Sequence, residues 1–167
     1  MKITRLAVTA YAFAAVIILV DQLTKLWVLD GLDIAERGVI PVLPFFRLSL
    51  VHNDGVSFGL FGGGSARWVL TVFSLAVAGL LAWWANRTDR RLMTAAIGLV
   101  MGGALGNVID RIRFGHVIDF LDFSQTGVFP WVFNVADSAI TVGVILLVLD
   151  SLRSEQAAKV GAAPEKS

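Results

Sequence analysis

Long apolar stretches separated by short polar segments dominate the pattern along this chain. Each stretch is close to the roughly 20 residues that an α-helix needs to cross about 30 Å of hydrocarbon. We therefore predict an all-α membrane protein built on a bundle of four transmembrane helices. The predicted helices cover about residues 6–29, 67–86, 92–112 and 130–151.

The segment between the first two predicted helices has a different pattern. Residues 39–61 are rich in β-forming residues, Pro41 and Pro44 come early, and Asn53–Gly55 is a turn signal. Residues 47–50 alternate between polar and apolar side chains, as in a strand with one face on lipid or protein. This segment therefore predicts a small β-sheet that lies on the membrane surface.

The chain shows no internal repeat, and we expect one domain over residues 1–153. The small, polar residues 154–167 are expected to form a disordered tail. Lys2 and Arg5 precede the first apolar run, as they would in a cleaved signal peptide. The small-residue triplets at 10–14 lie inside that run and not after it, so we expect the segment to be a retained helix.

Composition supports a membrane protein. Hydrophobic residues make up 56% of the chain and charged residues 16%, whereas a soluble domain carries about 25% charged residues. The net charge of +1 provides no basic field for nucleic acid. The chain has no cysteine, which excludes disulfide bonds, thiolate metal sites and a cysteine nucleophile.

The basic residues predict how the helices are oriented. One side of the membrane receives the basic residues before the first helix, between the second and third, and after the fourth: Lys2, Arg5, Arg87, Arg90, Arg91, Arg153, Lys159 and Lys166. On the other side, only Arg37 and Arg47 lie well away from helix ends. The positive-inside rule then places both termini in the cytoplasm. Residues 31–66 and 115–129 would face outward, which makes the predicted sheet extracytoplasmic.

Several classes of catalytic site lack their residues in this sequence. His52 and His116 are the two histidines, and neither has a partner at metal-ligand spacing, so each is better explained as a loop or interface residue. The H-E-x-x-H signature of zinc peptidases is absent. The serines lie in no recognisable motif with a lysine or histidine. We therefore expect no metal, no cofactor and no serine nucleophile.

Carboxylates remain as candidate acid–base groups. Asp21, Asp110 and Asp137 lie in or at the edge of apolar helices, where an ionisable group costs at least ~2.5 kcal/mol. Asp119 follows the third helix, and Asp137 is expected about two turns into the fourth. Because the third helix exits where the fourth enters, Asp119 and Asp137 should lie at similar depth. In such a pair one carboxyl holds a proton while the other activates water.

Polar neighbours of these carboxylates fall at helical spacing. Asn134 and Asp137 share one face of the predicted fourth helix, and Asn107, Asp110 and Arg111 cluster on the third. These residues are candidates to support the pair. For Asp110 and Arg111, a simple ion pair at the membrane edge is an equally good explanation.

Two other functions fit part of the pattern. A small proton-coupled transporter or channel would use Asp21, Asp110 and Asp137 as a relay, with carboxylates spread through the bilayer. The innermost third of every predicted helix lacks a charge, which argues against that hypothesis. A purely structural membrane module leaves Asp137 unexplained. We therefore favour a membrane aspartic peptidase.

The residues also match a known family. The chain resembles the lipoprotein signal peptidases (signal peptidase II), the membrane aspartic peptidases of bacteria, from the first helix to about Asp150. The motifs of this chain that carry the resemblance are Asp21–Lys25 (D-Q-L-T-K), His52–Gly59 (H-N-D-G-V-S-F-G), Gly106–Arg111 with Gly115–Phe120, and Phe133–Ile140. Val56 and Ser57 stand where the family usually has two alanines.

The resemblance implies roles for individual residues. Asp119 and Asp137 would be the catalytic pair. The residues that would bind substrate or support the pair are Asp21, Asn53, Gly55, Asn107, Asp110, Arg111 and Asn134.

The resemblance also implies partners and a location. The substrate would be a prolipoprotein whose cysteine carries diacylglycerol, cut just before that cysteine to release the signal peptide. The enzyme would be a monomer among the lipids of the bacterial cytoplasmic (inner) membrane, with its site near the outer face. Cyclic peptide antibiotics of the globomycin type would inhibit it.

Overall fold

The structure, a computed structural model, describes residues 3–55 and 65–161. Its helices are α1 (Arg5–Leu26), α2 (Ile34–Arg37), α3 (Ser65–Ala85), α4 (Arg91–Arg113) and α5 (Val135–Gly161). Its strands are β1 (Ile40–Leu43), β2 (Phe46–Asn53), β3 (Val117–Asp122) and β4 (Val132–Phe133). A turn of π-helix, Trp27–Gly31, extends α1, and a 3-10 turn, Ser124–Thr126, follows β3. Residues 56–61 of the predicted β segment lie outside the described residues.

Helix α4 is the centre of the bundle. The four long helices, α1, α3, α4 and α5, are long and apolar enough to cross a membrane. In α4, 72% of the apolar stretch is buried, against 22% in each of the others. Glycines permit this packing: a Cβ at Gly102 would lie 2.8 Å from the Ala14 carbonyl oxygen, and one at Gly103 would overlap the Ala136 carbonyl. Small residues of this kind let α1 and α5 pack closely against α4.

The predicted sheet is present, and it contains more of the chain than the sequence indicated. Four antiparallel strands lie in the order β1-β2-β3-β4. Buried Leu48 of β2 and Phe120 of β3 pack against Val28 of the π-helical turn and Ile34 of α2. This packing fixes the sheet to one end of the bundle, which we call the sheet end.

The fourth long helix begins later than predicted. Val132 and Phe133 form β4, which pairs with Leu121 and Asp122 of β3, so the helix begins at Val135 and not near residue 130. Asn134 stabilises this start because its side-chain oxygen accepts the N–H of Asp137 at 2.9 Å. Asp137 therefore lies in the first turn of α5, and the expectation of two turns into the helix is wrong.

The same helix ends later than predicted. Residues 154–161, which were expected to belong to a disordered tail, continue α5. This stretch has high helix propensity, and the Lys159 amine lies 2.6 Å from the Glu155 carboxylate at helical spacing. The expected tail is thus wrong for residues 154–161, and residues 162–167 lie outside the described part of the chain.

Candidate active site

Asp119 lies on β3, a strand that the sequence analysis did not predict. It pairs with Val51 of β2 and its side chain is 1% exposed. One carboxylate oxygen accepts a hydrogen bond from the Asn53 amide at 2.9 Å, and the other from the Asn134 amide at 2.7 Å. Asp119 is therefore held from the sheet on one side and from the start of α5 on the other.

A tight turn orients Asn53. The side-chain oxygen of Asn53 accepts the backbone N–H of Gly55 at 2.8 Å, which leaves its amide group free to donate to Asp119. Gly55 has a φ of +80°, and a Cβ there would overlap Leu70. The turn thus requires glycine at position 55.

Asp137 is held by α4. Its Oδ1 accepts a hydrogen bond from the Asn107 amide at 2.8 Å. Among the described residues, no donor reaches Oδ2 of Asp137. The part of the chain that the structure describes therefore anchors one oxygen of this carboxyl and leaves the other without a donor.

Asn134 joins the two carboxyl groups. It is fully buried, and its amide group donates to Asp119 and, at 3.3 Å, to the side-chain oxygen of Asn107. Its own oxygen accepts the backbone N–H of Asp137. The two asparagines, predicted from separate helices, thus form one network that connects Asp119 to Asp137. The separation of the two carboxyls, which we expect to be within roughly 6 Å, stays a prediction.

The surroundings change the acidity of Asp119. Burial raises the pKa of its carboxyl from 3.8 to about 7, and the negative charge of Asp137 adds to the rise. Hydrogen bonds from Asn53 and Asn134 oppose the rise, and so does the positive charge of Lys25. Near neutral pH, Asp119 can therefore hold a proton.

Asp110 and Arg111 do not form the ion pair considered as an alternative. Asp110 is fully buried and contacts the Lys25 amine at 2.6 Å. Arg111 donates to the Asn107 carbonyl at 3.4 Å and lines a groove beside Asp137. Two adjacent residues that the sequence grouped together thus point to different environments.

Lys25 is the main residue that the sequence analysis missed. It is 2% exposed and contacts both Asp21, at 2.8 Å, and Asp110, at 2.6 Å. Two of the three carboxylates considered for a proton relay, Asp21 and Asp110, are therefore bound to one lysine. The sequence contained a signal for this ion pair, because Asp21 and Lys25 lie four residues apart on an apolar helix.

Among the described residues, grooves lead to both candidate carboxyls. An apolar groove of about 370 Å³ passes Asp137. It is lined by Phe129, Trp131, Phe133, Asp137, Ser138, Thr141 and Val142. A second groove, of about 310 Å³, lies between α3, α4 and α5 and exposes Asn107, Arg111 and Asp137. A third, of about 390 Å³, runs along residues 51–55 and residues 130–132 to Asp119. Asp137 thus borders the first two of these grooves, and Asp119 borders the third.

The histidines lie beside this site. The rings of His52 and His116 are 4.2 Å apart, and burial together with the neighbouring His52 lowers the pKa of His116. In residues 3–55 and 65–161, no group of three or more histidine, cysteine, aspartate or glutamate side chains has the geometry to hold a metal ion.

Comparison with known proteins identifies the family. The family model for signal peptidase (SPase) II, Peptidase_A8, matches residues 13–153. A lipoprotein signal peptidase from Caulobacter vibrioides is 48% identical over 158 residues, which are 93% of this chain and 94% of that protein. One from Rhodopseudomonas palustris is 46% identical over 165 residues, 95% of this chain and 99% of that protein.

The fold is also found among solved structures. A bacterial membrane enzyme determined by the in meso method at 2.3 Å has a TM-score of 0.75 at 27% identity, covering 95% of this chain and 94% of that one. Another, at 1.9 Å, has a TM-score of 0.73 at 30% identity, covering 86% and 92%. The chain therefore belongs to the signal peptidase II family of bacterial multi-pass membrane proteins, and it is an aspartic-type lipoprotein signal peptidase.

Proposed function

We propose that Asp119 and Asp137 are the catalytic pair of this lipoprotein signal peptidase, with Asp119 protonated and Asp137 ionised in the resting enzyme. The observation that carries the proposal is the Asn134–Asn107 network, which holds one oxygen of each carboxyl. The rise in the pKa of Asp119 to about 7 supports the assignment of the proton. Within residues 3–55 and 65–161, Oδ2 of Asp137 accepts no hydrogen bond, which supports its role as the base.

The reaction follows from this assignment. Asp137 takes a proton from a water molecule as the water oxygen attacks the scissile carbonyl carbon, while Asp119 donates its proton to the carbonyl oxygen. The tetrahedral intermediate then collapses with cleavage of the C–N bond. The leaving amine takes the proton from Asp137, and the intermediate returns a proton to Asp119, which restores the pair.

Further polar residues around the pair are proposed to bind or orient the peptide. Arg111 lies in the groove with Asp137, and its guanidinium can donate hydrogen bonds to backbone carbonyls of a substrate. Asn53 and Gly55 line the groove that leads to Asp119. Asn107 and Asn134 hold the carboxyls, as described above.

We further propose that the substrate is a prolipoprotein with a diacylglyceryl cysteine, cut just before that cysteine. The apolar groove beside Asp137 supports this choice, because Phe129, Trp131 and Phe133 offer aromatic surface next to the reacting groups. A substrate anchored by lipid would reach such a groove by diffusion within the bilayer. The same groove is the proposed site of inhibition by globomycin-type cyclic peptides.

The proposed orientation puts the sheet end at the outer face of the cytoplasmic membrane, with both termini in the cytoplasm and the enzyme active as a monomer. Arg90, which is expected on the cytoplasmic side, lies in the loop before α4, at the end of the bundle away from the sheet. The candidate pair lies at the sheet end. This arrangement agrees with the positive-inside rule.

The test uses the purified protein in detergent or lipid vesicles with a diacylglyceryl-modified precursor peptide. We expect cleavage before the cysteine in EDTA without added metal, and none with Asp137→Asn. The same peptide without lipid is the matched control and should be cut far more slowly. Activity lost in EDTA and restored by zinc, or equal cleavage of both peptides, would contradict the proposal.

A further inference from the structure

A buried cluster of charges lies directly behind the candidate pair. The Lys25 amine contacts the carboxylates of Asp21 and Asp110 at 2.8 and 2.6 Å, and it lies 3.5 Å from the side-chain oxygen of Asn107. These three acceptors match the three donors of a lysine ammonium group. Lys25 of α1 is thus bound to acceptors from α1 and α4. Asn107 in turn donates to Asp137, so two successive hydrogen bonds connect Lys25 to Asp137.

Each carboxylate of the cluster also accepts one backbone N–H. Asp21 accepts the N–H of Ala136 at 2.9 Å, and Asp110 accepts the N–H of Ile118 at 3.1 Å. Ala136 immediately precedes Asp137, and Ile118 immediately precedes Asp119. Each of these N–H groups belongs to a rigid peptide unit that ends at the Cα of Ala136 or Ile118, so holding it fixes the backbone one Cα before Asp137 or Asp119. The cluster therefore holds the backbone next to both candidate catalytic residues.

A role in stability alone explains this arrangement poorly. Buried ion pairs lose much of their Coulombic gain to desolvation, and apolar replacements are often as stable. Here the two backbone N–H groups that the carboxylates accept belong to α5 and β3, whereas the charged residues of the cluster lie on α1 and α4. Gly106 adds to the fit, since a Cβ there would lie 2.8 Å from the Asp21 carboxylate.

We propose that Lys25 is a positioning residue, which orients Asp21 and Asp110 so that their carboxylates set the spacing of Asp119 and Asp137. The inference depends on the proposed catalytic pair and deepens it. Lys25 touches neither substrate nor water in this role; it acts through the two carboxylates and the backbone amides that they hold. The positive charge of Lys25 also lowers the pKa of Asp119, so its removal has a second, measurable consequence.

The primary test is Lys25→Met, which keeps the length of the side chain and removes its charge. With the lipid-modified precursor, we expect kcat to fall about 100-fold, as a displacement on the order of 1 Å can produce, while KM changes less than about threefold. The pH above which activity declines should move upward, because the pKa of Asp119 rises. The matched control is Asp150→Asn, which breaks the partly exposed Arg90–Asp150 pair, 2.9 Å apart, at the other end of the bundle. It should leave kcat and the pH profile unchanged.

A second pair of variants decides the question if Lys25→Met fails to fold. Asp21 uses one oxygen for Lys25 and the other for Ala136, so in Asp21→Asn an NH₂ group must face a donor. Asp110 uses Oδ2 for both Lys25 and Ile118, while its Oδ1 accepts the Gln22 amide at 2.8 Å. Asp110→Asn can keep both Oδ2 contacts because the Gln22 side chain can turn its oxygen toward the new NH₂ group, whereas neither the Ala136 N–H nor the Lys25 ammonium can become an acceptor. Each variant removes the charge of one carboxylate that contacts Lys25 and leaves the other carboxylate in contact with it. We expect kcat to be at least about tenfold lower in Asp21→Asn than in Asp110→Asn.

The outcomes separate this inference from the function that it deepens. Equal losses in the two asparagine variants, or a folded Lys25→Met enzyme with normal kcat and an unmoved pH profile, would overturn the positioning role. Normal cleavage by Asp119→Asn or Asp137→Asn would instead overturn the catalytic pair. Wild-type activity measured alongside shows that the substrate and the assay are sound.

Discussion

The two ends of the helix bundle both contain a buried carboxylate bound to a basic side chain, yet the two sites differ in hydration. At the sheet end, Lys25 and Asp110 are 2% and 0% exposed. At the opposite end, Arg90 and Asp150 are 38% and 9% exposed, so water screens the pair. An exposed ion pair is screened by water and contributes little to stability. The charges of a buried cluster have no water to solvate them, so they depend on partners with well-defined geometry. The contrast agrees with the proposal that the buried cluster at the sheet end positions the candidate catalytic pair.

The largest expected effect is at the pair itself. Asp137→Asn keeps the shape and a hydrogen bond but cannot take a proton from water, so cleavage should fall by at least about 10²–10⁴. Asp119→Asn should give the same block, and the double variant should be little worse, because the two residues act as one unit. The measurement is accumulation of uncut lipid-modified precursor on a gel at matched expression. Near-normal cleavage by either single variant would remove that residue from the pair.

The pH dependence should be the next largest effect. Because Asp119 has a pKa of about 7 and must hold a proton, activity should decline about tenfold per pH unit above that value. The folded pKa lies above the ordinary 3.8, so the stability contributed by Asp119 is full below pH 3.8 and is lost as the pH rises to about 7. Rates and thermal unfolding measured from pH 5 to 9 test both statements. An activity that rises steadily through pH 9 would show that Asp119 is not the proton donor.

A smaller loss is expected when the connection between the carboxyls is cut. Asn134→Ala removes a hydrogen bond to Asp119 and the cap of α5, so activity should fall about tenfold and unfolding should become easier by about 1 kcal/mol. Asn86→Ala, which removes a polar side chain from the opposite end of the bundle, is the control for loss of an amide. An activity loss of similar size in Asn86→Ala would mean that the effect is general destabilisation.

The smallest effect is expected at the hydrated pair. Asp150→Asn should lower stability by about 1 kcal/mol or less and change kcat less than about twofold, because Arg90 remains partly in water. Thermal unfolding in detergent and initial rates with the lipid-modified precursor give both values. A large drop in kcat with normal stability would mean that the two ends of the bundle are coupled, and the contrast between them would fail.

Much of the candidate site could be predicted because polar residues are conspicuous in an apolar helix. Asp21, Asp110 and Asp137 stood out by the cost of placing an ionisable group in a bilayer, and Asn107 and Asn134 by their helical spacing from these carboxylates. Strand β3 was not predicted, although residues 117–122 carry the β-branched and aromatic residues of a strand, because it is only six residues long and follows the third long helix almost directly. The late start of α5 was missed because Val132 and Phe133 suit a strand and an apolar helix equally well.

The sequence by itself determined the number of long apolar helices, the presence of a sheet, the family and the candidate carboxylates. Each of these follows from local pattern or from motif identity. Only the tertiary structure decided that Asp110 pairs with Lys25 and not with its neighbour Arg111, and that Asn134 bridges Asp119 to Asn107. Helical spacing states which residues share a face of one helix. It does not state how far each helix is rotated or shifted against the next, and those two quantities determine which charges meet.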